Sequence, residues 1–215
     1  MAAITGAALA ALLQTCAPNV APATMHAIVS VESGGNPWAI GDNTAHRSYA
    51  PRSYAEALAI SRDLIARGHN IDLGIAQVNS ANFSSYHLTP SSALIPCQNL
   101  IVGSVILTNA YRWSLATYGN QPRALWGSIS AYNSGSLTAG GRYVNLVVSA
   151  ARQTPLVPPI DILTGYARPE GPTGISSVSH APPVPNVIVR PIPLPAFGFA
   201  HANGTNLAIK APTAP

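Results

Sequence analysis

Apolar residues recur every three or four positions along most of the first 153 residues, a period that predicts α-helices. In the helix expected at about 24–32, Met25, Ile28 and Val29 share an inward face. The glycine- and proline-containing run at 34–37 ends this helix, and Glu32 is its last residue. Further helices are expected over 3–15, 53–68, 97–117, 121–132 and 142–152.

The helix at 53–68 carries clear start and stop signals. Ser53 and Glu56 form the S-x-x-E pattern of a capping box, and Gly68 supplies the stop. Residues 72–79 are different, because they resemble a short strand that carries a glycine. No repeat at a fixed period appears, which excludes a solenoid.

Composition changes near residue 154. Thirteen of the 20 prolines lie in residues 154–215, where no amphipathic period is present. Proline favours extended, solvated chain and blocks helix formation. We therefore predict one domain over 1–153, followed by a proline-rich, disordered tail over 154–215.

Charged residues make up only 8% of the chain, against 47% hydrophobic residues, and the net charge is +4. The arginines are spread along the sequence, so no basic face is available to neutralise phosphates, and we expect no nucleic-acid partner. The longest apolar run, 100–107, is far shorter than the roughly 20 residues that a bilayer requires, so we expect no transmembrane segment. The first residues resemble the apolar part of a signal peptide but lack a preceding Lys or Arg, which leaves the export route open.

The residues capable of acid, thiol or metal chemistry are few. Any acid chemistry must come from seven carboxylates: Glu32, Asp42, Glu56, Asp63, Asp72, Asp161 and Glu170. Cys16 and Cys97 are either two buried thiols or one disulfide, and a disulfide implies an oxidising compartment such as the periplasm. The six histidines share no ligand spacing, so we predict no metal and no cofactor.

Glu32 is the strongest candidate for a catalytic acid. Val29 and Val31 precede it and Trp38 follows shortly after the turn. An apolar pocket raises the pKa of a carboxyl group, as a general acid at neutral pH requires. A helix-ending Glu before such a turn is, however, often only a solvated end.

Four short patterns occur in a diagnostic order: Glu32-Ser33, then Gly74-x-x-Gln77-x-Asn79, then Ala131-Tyr132-Asn133-x-Gly135, then Tyr143-Val144. In this order and spacing they resemble the soluble lytic transglycosylase domain, in particular the VirB-type lytic transglycosylases of type IV secretion systems. The stretch at 16–22 and the proline-rich C-terminal region are also similar. The resemblance implies a lysozyme-like fold, mainly α with a small β-sheet (α+β).

The resemblance also implies site residues. Glu32 matches the family's single catalytic carboxylate. Residues at matching positions that border the sugar groove are Ser33, Gln77, Tyr132, Asn133 and Tyr143. Ile75 and Ala76 replace the commoner Leu-Met of the family. Four of the groove residues also have a plain structural explanation: Gln77 as a strand-tying residue, Asn133 as a helix cap, and Tyr132 and Tyr143 as core residues.

The implied function is cleavage of the β-1,4 bond between N-acetylmuramic acid and N-acetylglucosamine in periplasmic peptidoglycan, with formation of a 1,6-anhydro sugar. Its partners would be glycan strands and components of a type IV secretion or conjugation apparatus, the latter through the tail. One alternative is a goose-lysozyme-like hydrolase that uses Asp72 as a second carboxylate, although we favour a strand-edge role for Asp72. Another is a non-catalytic wall-binding scaffold.

Overall fold

The computed structural model describes residues 3–153 and two short strands, Gly198–Phe199 and Leu207–Ala208, which pair antiparallel. Apart from these strands, the predicted tail over 154–215 lies outside the described residues. Among the described residues, no helix is both long enough and apolar enough to cross a bilayer.

All six predicted helices are confirmed, with small shifts at their ends. They are α1 (Gly6–Cys16), α2 (Pro22–Glu32), α3 (Tyr54–Ala66), α5 (Pro96–Tyr118), α6 (Gln121–Ser134) and α7 (Gly141–Arg152). The sequence pattern missed α4 (Pro90–Ala93), a single turn with Thr89 as its N-cap. The inward face predicted for α2 is also confirmed, because Met25, Ile28 and Val29 are fully buried.

The start of α3 differs in detail from a capping box. Ser53 Oγ accepts the backbone N–H of Glu56 at 3.1 Å, as predicted. The Glu56 carboxylate accepts the N–H of Arg52 at 2.7 Å instead of that of Ser53. The pair still satisfies two free backbone donors at the helix start.

The sheet has four short antiparallel strands: β1 (Ile40–Asp42), β2 (Arg47–Tyr49), β3 (Ile71–Leu73) and β4 (Val78–Asn79). Their order in the sheet is β2-β1-β3-β4. The expected single strand-like segment at 72–79 is therefore wrong, because it is two strands joined by a turn. The strand-edge role expected for Asp72 is also wrong, since Asp72 pairs with Gly41 on one side and Asn79 on the other.

Two groups of buried side chains form the interior. The main core lies where α2, α3, the sheet and α5–α7 meet. A second group packs α1 against α2, the turn between β3 and β4, and α5. Cys16 at the end of α1 and Cys97 in the first turn of α5 form a disulfide with a Cα–Cα distance of 5.2 Å. The predicted fold class, mainly α with a small β-sheet, is confirmed.

Candidate active site

Glu32 and Tyr143 meet although they lie 111 positions apart in the sequence. Glu32 is the last residue of α2, and Tyr143 lies in the first turn of α7. The Tyr143 hydroxyl donates a hydrogen bond to Glu32 Oε1 at 2.5 Å. The structure therefore fixes one carboxylate oxygen of Glu32, and the tyrosine that holds it is itself buried.

The environment of Glu32 favours its protonated form. Burial is the largest cause and raises the pKa of Glu32 from 4.5 to about 8, with a further increase from the charge of Asp72. The hydrogen bond from Tyr143 opposes this shift but does not cancel it. At neutral pH the carboxyl group therefore keeps a proton that it can donate.

Gln77 lies in the turn between β3 and β4 and adopts a left-handed backbone conformation, with φ of +47°. Its side-chain NH₂ donates to the carbonyl oxygens of Ala39 at 3.0 Å and Gly74 at 2.8 Å. One amide hydrogen thus closes the turn on Gly74, and the other ties the turn to Ala39, the residue before β1. A non-glycine residue in this conformation stores strain, a feature that clusters at functional sites.

Two predicted site hydroxyls hold the same turn. Ser33 Oγ donates to the carbonyl oxygen of Ile75 at 2.7 Å. Tyr132 Oη donates to the carbonyl oxygen of Ala76, also at 2.7 Å. Burial, followed by the charges of Glu32 and Asp72, raises the pKa of Tyr132 well above its usual value, so its hydroxyl stays a donor. Ser33 and Tyr132 therefore connect the helix ends of α2 and α6 to the turn.

Asn133 follows Tyr132 near the end of α6 and is half-buried. Within residues 3–153 its side-chain amide has no hydrogen-bond partner, unlike Ser33, Gln77 and Tyr132. Residues 3–153 therefore leave its donor and acceptor groups unused. The structure thus brings Ser33, Gln77, Tyr132 and Tyr143 into direct contact with Glu32 or with the turn, and Asn133 adjoins Tyr132.

Asp72 is a second buried carboxyl group near Glu32. Asn43 Nδ2 donates to its Oδ2 at 2.9 Å, and Asn79 Nδ2 donates to its Oδ1 at 2.7 Å. Burial raises the pKa of Asp72 to about 7, against the lowering effect of the two amides. Each of its oxygens therefore has a protein partner.

The other described carboxylates have structural partners away from Glu32. Asp42 is the last residue of β1 and accepts the N–H groups of Thr44 and Ala45. Asp63 pairs with Arg67 on the exposed side of α3. Glu56 stabilises the start of α3. Among residues 3–153, Asp72 is thus the one carboxyl group that rivals Glu32.

Sequence reasoning missed Asn99, which lies fully buried in α5. Its amide donates to the carbonyl oxygens of Leu73 and Ala93, each at 2.8 Å, and accepts the N–H of Ala76 at 2.8 Å. Asn99 therefore fixes the turn between β3 and β4 from the side of α5. The available signal was an asparagine within an apolar stretch of a predicted buried helix, because such a residue must satisfy its amide internally.

Gly103, one turn beyond Asn99 on α5, explains how closely the helix approaches this region. A Cβ atom at this position would lie 3.0 Å from both Ala76 Cβ and Tyr132 Oη. The absence of a side chain thus allows α5 to pack directly below the turn and the tyrosine.

Comparison with known proteins gives a consistent result. Residues 11–144 match the family model described as Transglycosylase SLT domain. The type IV secretion system protein virB1 of Brucella abortus is 43% identical over 151 residues, which cover 66% of this chain and 63% of that protein. Protein virB1 of Agrobacterium fabrum is 41% identical over 147 residues, covering 67% and 59%. No solved structure gives a significant match.

The chain spans about 63% of the length of the Brucella relative that it matches. The matched segment contains Glu32, the turn that carries Gln77, and Tyr132 to Tyr143. The fold, the order of these residues and the family match agree. This chain therefore belongs to the SLT transglycosylase domain family.

Proposed function

We propose that this protein is a peptidoglycan lytic transglycosylase that cleaves the β-1,4 bond between N-acetylmuramic acid and N-acetylglucosamine and forms 1,6-anhydro-N-acetylmuramic acid. The observation that carries this proposal is the state of Glu32. Its pKa of about 8 keeps the carboxyl group protonated at neutral pH, and Tyr143 orients one of its oxygens.

In the first step, the Glu32 carboxyl group donates its proton to the glycosidic oxygen. The bond between this oxygen and the anomeric carbon breaks, and its electron pair stays with the departing N-acetylglucosamine. The N-acetyl carbonyl oxygen of the muramic acid residue stabilises the positive charge at the anomeric carbon. The ionised Glu32 remains hydrogen-bonded to Tyr143, which limits the penalty of a buried negative charge.

In the second step, the 6-hydroxyl oxygen of the same sugar attacks the anomeric carbon and loses its proton to Glu32. The carboxyl group returns to its starting state, and water is not consumed. One residue thus acts first as acid and then as base. The attack is intramolecular, so proximity replaces the activation of a separate nucleophile.

The surroundings of Asp72 support a mechanism with one carboxylate. Ordinary glycosidases pair two carboxyl groups, one of which attacks the sugar or activates water. The amides of Asn43 and Asn79 occupy both oxygens of Asp72, which makes it a poor nucleophile. Its nearby charge still raises the pKa of Glu32.

We assign substrate contacts to the polar groups that the fold leaves available. The amide of Asn133 suits a sugar hydroxyl or N-acetyl group. The Oε1 atom of Gln77 can accept a hydrogen bond, because the bonds of this amide to described residues, Ala39 and Gly74, come from its NH₂ group. Ser33, Tyr132 and Tyr143 then shape the groove through the contacts that fix Glu32 and the turn.

The similarity to virB1 proteins supports a role beside a type IV secretion or conjugation apparatus, where glycan cleavage opens the wall locally. We propose a periplasmic location, which the Cys16–Cys97 disulfide favours. We also propose that residues 1–153 form the catalytic domain and that the proline-rich segment 154–215 contacts components of the apparatus. That segment contains 13 of the chain's 20 prolines, a composition that suits docking into aromatic grooves.

Product analysis tests the proposed reaction. Muropeptides released from purified sacculi are expected to carry 1,6-anhydro ends, because the sugar's own hydroxyl attacks. Each is then lighter by one water molecule than its hydrolysed equivalent in a mass spectrum. Products with only reducing ends would instead establish a hydrolase, and no released products from folded protein would favour the non-catalytic scaffold.

Asp72→Asn distinguishes the lytic from the hydrolytic mechanism. We expect this variant to keep activity within roughly tenfold of wild type, because loss of a true general base costs about 10²–10⁴-fold. Without the Asp72 charge, the pKa of Glu32 should fall, so activity should decline at a lower pH than in wild type. A pH–rate profile measures both effects. Loss of nearly all activity in a folded Asp72→Asn protein would favour the hydrolase.

A further inference from the structure

Helix α1 packs behind the two segments that carry Glu32 and Gln77. Leu9 and Leu13 of α1 are almost fully buried. They belong to one apolar cluster with residues from α2, from the turn and from α5: Met25, Val29, Ile75, Ala76 and Leu100. Val29 lies one turn before Glu32, and Ala76 precedes Gln77. The back of the site is therefore formed by α1.

The chain just before α1 also contacts the turn that follows Glu32. The backbone N–H of Ile4 donates to the carbonyl oxygen of Gly35 at 2.9 Å. A Cβ atom on Gly35 would lie 2.3 Å from the Ile4 carbonyl oxygen, so the two backbones touch directly. Gly35 N–H donates to Ser33 Oγ at 3.1 Å, and that hydroxyl donates to Ile75. A continuous series of contacts thus runs from Ile4 through Gly35 and Ser33 to Ile75, in the turn between β3 and β4.

The disulfide holds the other end of α1. Cys16 is the last residue of α1, and its partner Cys97 lies two residues before Asn99 on α5. Within the described part of the chain, the main core has no buried member from α1. An 11-residue helix has little stability of its own. Loss of the bridge can therefore release α1 while the main core remains folded.

We propose that α1 is a positioning element of the active site and that the Cys16–Cys97 disulfide keeps it in place, so that glycan cleavage reaches its full rate only in the oxidised protein. This inference rests on the proposed function. A dithiol reductant transfers two electrons and two protons to the disulfide, which becomes two thiols, while the reductant forms its own disulfide. A disulfide oxidant such as oxidised glutathione reverses the change.

The expected consequence of reduction is a fall in kcat more than a rise in KM. Displacement of a catalytic group by about 1 Å can cost about 100-fold in rate. Glu32 and the turn between β3 and β4 then lose the packing of α1 against them. Asn133 lies on α6, which contributes no described residue to this apolar cluster. Water entering behind α2 should also reduce the burial that raises the pKa of Glu32. The pH above which activity declines should therefore move down.

The central experiment compares the full chain in its oxidised form, in dithiothreitol, and as a Cys16→Ala/Cys97→Ala variant, at a temperature at which all three are folded by circular dichroism. We expect kcat on soluble glycan strands to fall about tenfold or more in dithiothreitol, with little change in KM, and to recover after reoxidation. The double variant should show the low rate in both conditions. Equal kcat values for folded oxidised and reduced protein would overturn the proposal.

A substitution without a cysteine provides an independent check. Leu13→Ala removes buried apolar surface from α1 and should lower kcat in the oxidised protein. Gln14→Ala, the adjacent and exposed position, is the matched control and should not. If Leu13→Ala lowers thermal stability but leaves kcat and the pH profile unchanged, α1 is merely structural and the proposal fails.

Hydrogen exchange separates this inference from the proposed function, because it requires no turnover. Reduction should weaken the protection of amides at 29–35 and 74–77 before it affects α5 and α6. An oxidised protein that releases no glycan fragments would refute the proposed function, whatever the exchange pattern. Unchanged protection of both segments after complete reduction would refute the positioning role of α1.

Discussion

Glu32→Gln is expected to abolish the release of glycan fragments from purified sacculi, with a loss of roughly 10³-fold or more. Glutamine keeps the size of the side chain and can still accept the hydrogen bond from Tyr143. It has no proton to donate to the glycosidic oxygen and no carboxylate to accept one from the 6-hydroxyl. Both proton transfers of the proposed reaction therefore stop together.

The same substitution should stabilise the fold at alkaline pH. The pKa of Glu32 is about 8 in the folded protein against an ordinary value of 4.5. As pH rises from 4.5 to 8, the unfolded chain loses this proton while the folded protein must keep it, so wild-type stability falls. Glu32→Gln removes this penalty, which is on the order of a few kcal/mol because one pKa unit corresponds to about 1.4 kcal/mol.

Urea unfolding at pH 4.5 and pH 8 measures this effect. The two proteins should have similar stability at pH 4.5, and the variant should be the more stable at pH 8. Asp63→Asn is the matched control, since Asp63 is an exposed carboxylate on α3. It should leave activity nearly unchanged and should not reproduce the gain in stability at pH 8. Retained cleavage activity in Glu32→Gln would remove this residue from the mechanism.

The helices were predictable because a periodic apolar pattern is combined with local helix start or stop signals. The proline at position 22 begins α2, and Gly119 and Gly135 end α5 and α6 in the left-handed conformation. The strands were harder to predict, since none in the part of the chain that the structure describes exceeds three residues. A strand that short has no alternation to detect, so β1 and β2 left no recognisable pattern in the sequence.

Glu32 was identifiable as a candidate acid because its apolar neighbours are close in sequence. Its contact with Tyr143 was not identifiable, because no local pattern encodes a hydrogen bond across 111 positions. The same reason explains why Asp72 was misplaced at a strand edge. Its position depends on which strands pair, and β1 was not recognised as a strand.

Asn99 shows a further limit of local patterns. An asparagine in an apolar helix is usually unfavourable, so its presence signals a local conflict without identifying the partners. The structure identifies them as three backbone groups, on β3, α4 and the turn before Gln77. One side chain thus joins the start of α5 to the turn of the candidate site.

Asn99→Leu is expected to destabilise the protein by at least about 3 kcal/mol, since each buried polar group that loses its partner costs about 1–3 kcal/mol. The substitution removes the buried side-chain partner of the carbonyl oxygens of Leu73 and Ala93 and of the N–H of Ala76. Leucine is close to asparagine in size, so the substitution creates little cavity. The measured loss of stability therefore arises mainly from the missing hydrogen bonds.

Urea unfolding of the oxidised protein measures this loss, with Asn145→Leu as the control because Asn145 is exposed on α7. A loss below about 1 kcal/mol for Asn99→Leu would contradict the role given to these three bonds. The expected loss is a large part of the 5–15 kcal/mol that typically stabilises a domain, so the variant should be studied well below its melting temperature. Even when folded there, it should cleave glycan more slowly, because Ala76 links Asn99 to the Tyr132 hydroxyl. Asn99 on α5 and Tyr132 on α6 both bond Ala76, in the turn that carries Gln77. Removal of the Asn99 contact therefore leaves this turn freer to move.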